Sequence, residues 1–238
     1  MGSEEPSMQK LWKQALLTFS NNCSGNARGQ NFHENFLKLK TLADQITAEH
    51  VNLDARLVNP SAEGRPRFPS RRPPVTYIEV YEDADVTIGI FVLKAGARLP
   101  LHDHPRMHGV LKVLLGTVAV QSYSPRRERS TQTGEVVAVK HAEVSADATS
   151  GACVLTPVDR NLHEIRSVGG PAAFLDILSP PYDPDGAEPG GRQCHYYEEA
   201  PRQGDEEGAE SVRLRRVPSP PPDFWNDSAP YGGPALQS

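Results

Sequence analysis

Leu101-His102-Asp103-His104-Pro105-Arg106-Met107-His108-Gly109 gathers three of the chain's eight histidines. Side chains on an extended segment alternate with period two, so His102 and His104 point the same way and can bite one metal ion. Two solvated loop histidines would look the same in isolation, and the flanks decide between the readings. Gly96 precedes His102 with five residues between them, and a hydrophobic run from Val110 leads to Gly116. Later in the chain Gly151, Pro157 and His163 form a comparable phrase that brings in a third imidazole.

Around these phrases the sequence reads as strands. β-Branched and aromatic runs occupy 77–81, 86–93, 110–115, 117–123, 135–144, 152–156, 163–168 and 172–178, with 194–199 and 212–217 as further candidates. Gly, Pro, Asp and Asn punctuate them at roughly 8–12-residue spacing, the pattern of an antiparallel sandwich or barrel. The fold class expected is therefore mainly β. Ahead of the strands, Met8, Leu11, Trp12, Ala15, Leu16 and Phe19 form one helical stripe, and Phe32, Phe36, Leu39, Ala43 and Ile46 a second. Both helices are too short to make a core alone and should pack outside the β-structure. The expected organisation is a helical segment over 1–58, a Pro/Arg-rich connector over 59–74, a barrel over 75–217 and a Pro-rich tail over 218–238. Segments 124–134 and 200–211 are polar and read as surface loops, while Phe224 and Trp225 in the tail should tuck against the body, since burying large aromatics is favourable.

Composition narrows the function. The 238 residues carry 25 Lys+Arg against 30 Asp+Glu, a formal net charge of −5, which argues against a general phosphate-binding surface and hence against nucleic acid. The arginines at 65, 67, 71 and 72 read as a solvated linker. No run approaches the ~18 apolar residues of a membrane span, and residues 1–8 lack a basic-then-apolar leader, so the expectation is a soluble, cytoplasmic protein with no membrane partner. Monomer is the expected state, since no long exposed strand edge is evident. With 22 Pro, long helices after residue 60 are disfavoured. Cys23, Cys153 and Cys194 are too few and too scattered for a disulfide scaffold or a CxxC zinc site. Cys153 reads as core and Cys23 as an incidental loop thiol.

The framed histidines resemble the two motifs of the cupin superfamily, which implies a small antiparallel jelly-roll barrel with a metal at its mouth. The likeness covers 96–167 with a long insertion between the halves. Asp159 stands where the second motif has a glycine, and the proline-to-histidine spacing is one longer. The more informative departure lies after His104, where most metal-binding cupins place a glutamate and this chain has His108 and Gly109. Without that carboxylate the ligand set becomes His102, His104 and His163, all neutral imidazoles. His108 is then a fourth ligand or, preferably, a neighbour behind the ligands or in solvent. Such a site leaves Fe(II) its full positive charge and suits an anionic sulfur ligand with positions open for O₂. No GxGxxG fingerprint or P-loop is present, consistent with O₂ chemistry that needs no organic cofactor.

Longer phrases carry a closer resemblance. Pro73-Pro74-Val75-Thr76-Tyr77, Pro100-Leu101-His102-Asp103-His104-Pro105, Asn161-Leu162-His163, Gly170 to Leu178, Pro180-Pro181-Tyr182-Asp183-Pro184 and Cys194-His195-Tyr196-Tyr197 are similar to the thiol dioxygenase family of animal cysteamine (2-aminoethanethiol) dioxygenases, with plant cysteine oxidases more distant. The resemblance implies one Fe(II) per chain, O₂ as co-substrate, and conversion of cysteamine to hypotaurine. It also implies oxidation of N-terminal cysteine of proteins to the sulfinic acid, an oxygen-dependent mark for N-degron degradation. By the same likeness His102, His104 and His163 are the iron ligands, and Asp176 lies near the substrate mouth. A buried carboxylate needs a partner, which is either a substrate ammonium or a donor elsewhere in the barrel. Tyr182 either offers a hydroxyl beside substrate or O₂ or merely packs its loop. Cys194 and Tyr196 are a candidate thioether cross-link or an ordinary packed pair. The rival readings are a non-catalytic cupin acting as a binding module and a cupin isomerase or acireductone-type dioxygenase, which usually keeps the missing glutamate.

Overall fold

In the computed structural model the described residues are 5–20, 28–58, 72–130, 135–183, 191–201 and 211–236. Cys23, most of the proposed connector and the basic stretch up to residue 71 lie outside them. The chain runs α1 (Ser7–Phe19), α2 (Arg28–Asp44) and a short α3 (Ala55–Val58), then β1 (Val75–Glu82), β2 (Thr87–Leu93), β3 (Arg98–Asp103), β4 (His108–Ser130), β5 (Glu135–Lys140) and β6 (Val144–Asp147). β7 (Cys153–Leu155), β8 (Leu162–Ser179), β9 (Tyr196–Glu199), β10 (Ser211–Val217) and β11 (Asn226–Ser228) follow.

A mainly β, closed antiparallel barrel results, as the strand pattern predicts. Its closure can be followed through the ladders: β8 pairs with β4, β4 with β5, β5 with β10, β10 with β9, β9 with β3, and β3 with β8 again. The central ribbon is β4 against β8, from His108↔Ser179 to Tyr123↔Leu162. The other half of β8 pairs with β2, β2 with β1, and β1 with β11.

Several expected boundaries shift. Runs 110–115 and 117–123 fuse into β4, and 163–168 and 172–178 fuse into β8, because each ribbon partner bends at glycine instead of ending there. At Gly116 φ is +72°, and a Cβ would meet the Pro171 carbonyl oxygen at 2.3 Å, so only glycine lets the strands cross this closely. The polar stretch after residue 124, expected as a loop, continues β4 to Ser130 through Ser124↔Val139 and Pro125↔Ala138 pairing. Backbone hydrogen bonding sustains a ladder there without apolar side chains. Run 135–144 splits into β5 and β6, and β11 forms in the tail, where Thr76 donates to Asp227 at 2.6 Å.

Alternation along β2 and β8 sorts the core. Ile88, Ile90, Val92, Ala173, Leu175 and Ile177 face outward and pack with Met8, Leu11, Trp12, Leu39 and Ala43 of the two helices. Leu93, Ala172 and Phe174 face inward with Leu111, Val113, Val118, Val120 and Ile165, and Phe224 of the tail packs against this inner cluster. The helices thus cover one outer wall and leave the interior free for a site.

Candidate metal centre

β3 supplies His102, the turn after it His104, and the first residues of β8 His163. Antiparallel registry sets His102 directly opposite His163, and period-two alternation turns His104 to the same side. The ring centroids stand 4.6–4.9 Å apart. One ligand nitrogen from each ring lies within 4.8 Å of the others, the only such cluster among the described residues.

The donor chemistry fits a metal. His102 Nδ1 lies 2.7 Å from the Pro100 carbonyl and His104 Nδ1 2.9 Å from that of Asn161, contacts in which each Nδ1–H donates and each Nε2 keeps its lone pair. Asn161 locks the turn further by donating to the His104 carbonyl at 2.7 Å. Burial lowers all three imidazole pKa values, and in His104 and His163 neighbouring histidines lower them further, so the set is neutral at physiological pH. Three buried bases facing one point without a proton among them favour a divalent cation.

No carboxylate follows His104 at the position where the sequence resemblance led one to be expected. A Cβ on Gly109 would meet Leu155 Cγ and Leu178 Cδ2, each at 2.9 Å, so leucine side chains occupy the space a glutamate would need. His108, expected as a fourth ligand or, preferably, behind the ligands or in solvent, is placed away from the imidazole cluster. It shares the helix-facing side of β4 with Val110 and rests among Phe19, Phe32 and Phe36, with ring centroids 6.5, 4.9 and 5.9 Å away. Strand parity is the reason: inward-facing Gly109 and outward-facing His108 cannot share a side.

Asp176 points inward opposite Gly89. It is only 8% exposed, and no described residue hydrogen-bonds its side chain. Desolvation alone pushes its pKa up to about 7. A cavity of ≈ 330 Å³ runs past it, bounded also by His102, Tyr182, Cys194 and Tyr196 and opening at Glu82 and Asn226. A second, of ≈ 170 Å³, reaches Asp176 and His163 from the Cys153 and Leu155 side. Tyr182 donates to the Asp103 carbonyl at 2.6 Å, with its ring 5.7 Å from that of His104. Cys194 sits between the hydroxyls of Tyr182 and Tyr196, and burial raises its thiol pKa to about 11. Tyr196 is 6.4 Å from the His102 ring, so the Cys194–Tyr196 pair borders the imidazole cluster.

One group escapes the sequence reading. Asp103, between the two histidines and facing the other way, accepts from the His195 backbone N–H at 2.8 Å and the Tyr197 hydroxyl at 2.9 Å, and its Oδ2 lies 3.0 Å from His195 Nδ1. These bonds staple the segment carrying Cys194 and Tyr196 to the segment carrying the imidazoles. The signal was parity: residues 195 and 197 alternate with 194 and 196 as 103 does with 102 and 104.

The PCO_ADO family model matches residues 42–236. The chain belongs to the PCO_ADO family. It is 38% identical to mouse 2-aminoethanethiol dioxygenase, over 96% of each chain, and 37% identical to the human protein of that name, again over 96% of each. Plant cysteine oxidase 2 of Arabidopsis thaliana is 28% identical over 97% of this chain and 83% of its own. Among solved structures, KdgF from Halomonas sp. is similar over 52% of this chain and 93% of its own, at 15% identity and a TM-score of 0.35. Family membership and the barrel accord with the phrases that pointed to thiol dioxygenases. Among the described residues no helix is long and apolar enough to cross a membrane.

Proposed function

We propose that this protein is an Fe(II)-dependent thiol dioxygenase that converts cysteamine to hypotaurine and oxidises N-terminal cysteine of proteins to the sulfinic acid. The observation that carries the reading is the convergence of three neutral imidazoles with leucines where a carboxylate would stand, in a chain of the PCO_ADO family. Iron(II) held by His102, His104 and His163 would supply the electronic route by which O₂ gives both atoms to a coordinated thiolate, RSH + O₂ → RSO₂H, without an organic co-substrate.

The remaining chemistry belongs to the chain. The Pro100 and Asn161 carbonyls keep His102 and His104 in the tautomer that presents Nε2. Asp176, buried without a hydrogen-bond partner among the described residues, is suited to the ammonium that cysteamine and an N-terminal cysteine share, and such a partner would draw its pKa back down. Tyr182 and Tyr196 bring hydroxyls to the cavity wall, where they limit water and orient the bound thiol. Holding thiol and O₂ side by side makes sulfur–oxygen bond formation effectively intramolecular. A cytoplasmic monomer acting in this way would couple O₂ supply to marking of Cys-initiated proteins for degradation. Cys194 beside Tyr196 supports a thioether cross-link bordering the site.

The test combines metal analysis with mass spectrometry of cysteamine and a Cys-initiated peptide incubated with the iron-loaded protein in air. The expected result is bound iron and a gain of about 32 Da, two oxygen atoms, on each thiol. Bound metal with no oxidised thiol would favour the binding-module reading.

A further inference from the structure

The ≈ 330 Å³ cavity that His102 borders runs on past Asp176 to the exposed Glu82 and Asn226, and Thr87 lies in that outer stretch. Thr87, the first residue of β2, faces inward; it is 8% exposed and lines the cavity, yet its Oγ1 has no hydrogen-bond partner among the described residues. The Tyr77 phenol lies beside the same hydroxyl and interacts with it, but outside the distance and angle of a full hydrogen bond. A buried hydroxyl without a partner costs about 1–3 kcal/mol, so it is expected where a ligand supplies the missing bond.

Position along the strands says which ligand. Gly89 stands opposite Asp176, and Thr87 opposite Leu178, one inward-facing position nearer the rim. Two residues of strand advance about 7 Å. A chain whose amino terminus sits at Asp176 and whose backbone advances ~3.3–3.6 Å per residue comes level with Thr87 within its first two peptide units. Gly89 keeps this stretch open: a Cβ there would lie 2.4 Å from Tyr77 Cε2, so any side chain would displace the ring that roofs the passage. Beyond Thr87 the cavity reaches the exposed Glu82 and Asn226, and among the described residues no Lys or Arg lines it.

We propose that Thr87 forms a peptide subsite whose hydroxyl hydrogen-bonds one of the first two peptide groups following a substrate's N-terminal cysteine, with the chain leaving past Asn226 and Glu82. This rests on the thiol dioxygenase reading and adds to it the residue that separates peptide from small thiol. Thr87 positions the peptide and takes no part in the sulfur chemistry, because cysteamine ends before reaching it.

The experiment compares wild type, Thr87→Val and Thr87→Ser as iron-loaded full chains, measuring kcat and KM for cysteamine and for a Cys-Gly-Ala-Ala-Ala peptide, together with Tm. Thr87→Val is expected to raise KM for the peptide about 2- to 12-fold, the loss of one neutral hydrogen bond. It should leave cysteamine kinetics unchanged and Tm equal or higher, since an unpaired hydroxyl has been removed. Thr87→Ser should restore the peptide KM. Equal losses on both substrates, no change on either, or a lowered Tm for Thr87→Val would overturn the subsite while leaving the thiol dioxygenase reading standing. Wild type that oxidises cysteamine but not the peptide overturns the subsite and the peptide half of that reading. Wild type that oxidises neither overturns both.

Discussion

Alternate residues of the same two strands build two unlike surfaces. On the outer side of β2 and β8, Ile88, Ile90, Val92, Ala173, Leu175 and Ile177 meet the helices in a continuous apolar layer. On the inner side, one residue over, lie a Thr87 hydroxyl without a hydrogen-bond partner among the described residues, a bare Gly89 and an Asp176 whose carboxyl is perturbed by desolvation alone. The outer face gains roughly 25 cal/mol for each Å² of apolar surface it hides, whereas the inner face carries groups whose burial costs free energy. Neither side could do both tasks. Helix packing on the outside offsets the expense of keeping polar groups unpaired inside, and what is unpaired inside is available to a substrate.

The largest effect expected on the inner side is loss of the metal. His163→Ala removes one of three ligands and should abolish iron binding and turnover while leaving Tm of the metal-free protein close to wild type. Retained iron and activity would overturn the ligand assignment. On the outer side Leu175→Ala should do the reverse. A fully buried leucine truncated to alanine costs about 2–5 kcal/mol. Urea titration should show the midpoint fall, and kcat/KM at temperatures where the variant is folded should hold within about twofold. A large kinetic loss in Leu175→Ala would mean that the two faces are not separable.

Asp176 tests the cost directly. Its pKa is about 7 in the fold against 3.8 for an ordinary aspartate, so the folded state binds the proton more tightly than the unfolded chain. Stability is therefore greatest below pH ~4 as far as this group is concerned and falls as pH rises through the window to about 7, by up to about 4 kcal/mol. In metal-free protein, Asp176→Asn should be more stable than wild type at pH 8 and no more stable at pH 4, and the iron-loaded variant should bind aminothiols more weakly. Denaturant midpoints at the two pH values check the first part. An equal stability gap at both would refute desolvation as the dominant influence on this carboxyl.

How far the sequence discloses this follows from the same alternation. The imidazole cluster is legible because His102 and His104 share parity and because the glycine and proline frame supplies the third histidine. Strands are legible wherever β-branched runs are bounded by turn residues. The fusions into β4 and β8 are not, since Gly116 and the Gly169-Gly170-Pro171 stretch look like stops until a partner strand shows them to be bends. β11 and the end of β4 escape because backbone pairing needs no apolar signature. His108 misleads for a plainer reason: counting residues from His104 places it near the absent glutamate, while counting parity along β4 puts Gly109 inside and His108 outside. Asp103 is overlooked because the residue between two ligands draws no notice until its other side is seen to hold His195 and Tyr197.

His108 offers the smallest effect and the finest test of how sealed the outer face is. Among Phe19, Phe32 and Phe36 its imidazole is partly desolvated, and burial lowers its pKa below the ordinary 6.5. A base with a lowered folded-state pKa gains protons more readily when unfolded, so its contribution to stability is complete above pH 6.5 and is lost as pH falls through 6.5 toward the folded value. Replacing it by Leu, which cannot charge, should narrow the difference in Tm between pH 7.5 and pH 5.5 relative to wild type, by no more than about 2–4 °C. Because the ring lies on the helix side, kcat for cysteamine at pH 7.5 should not change. A narrowed Tm difference with unchanged kcat would place the helices' grip on β4 and the chemistry behind it on separate controls. A fall in kcat matching His163→Ala would instead return His108 to the metal.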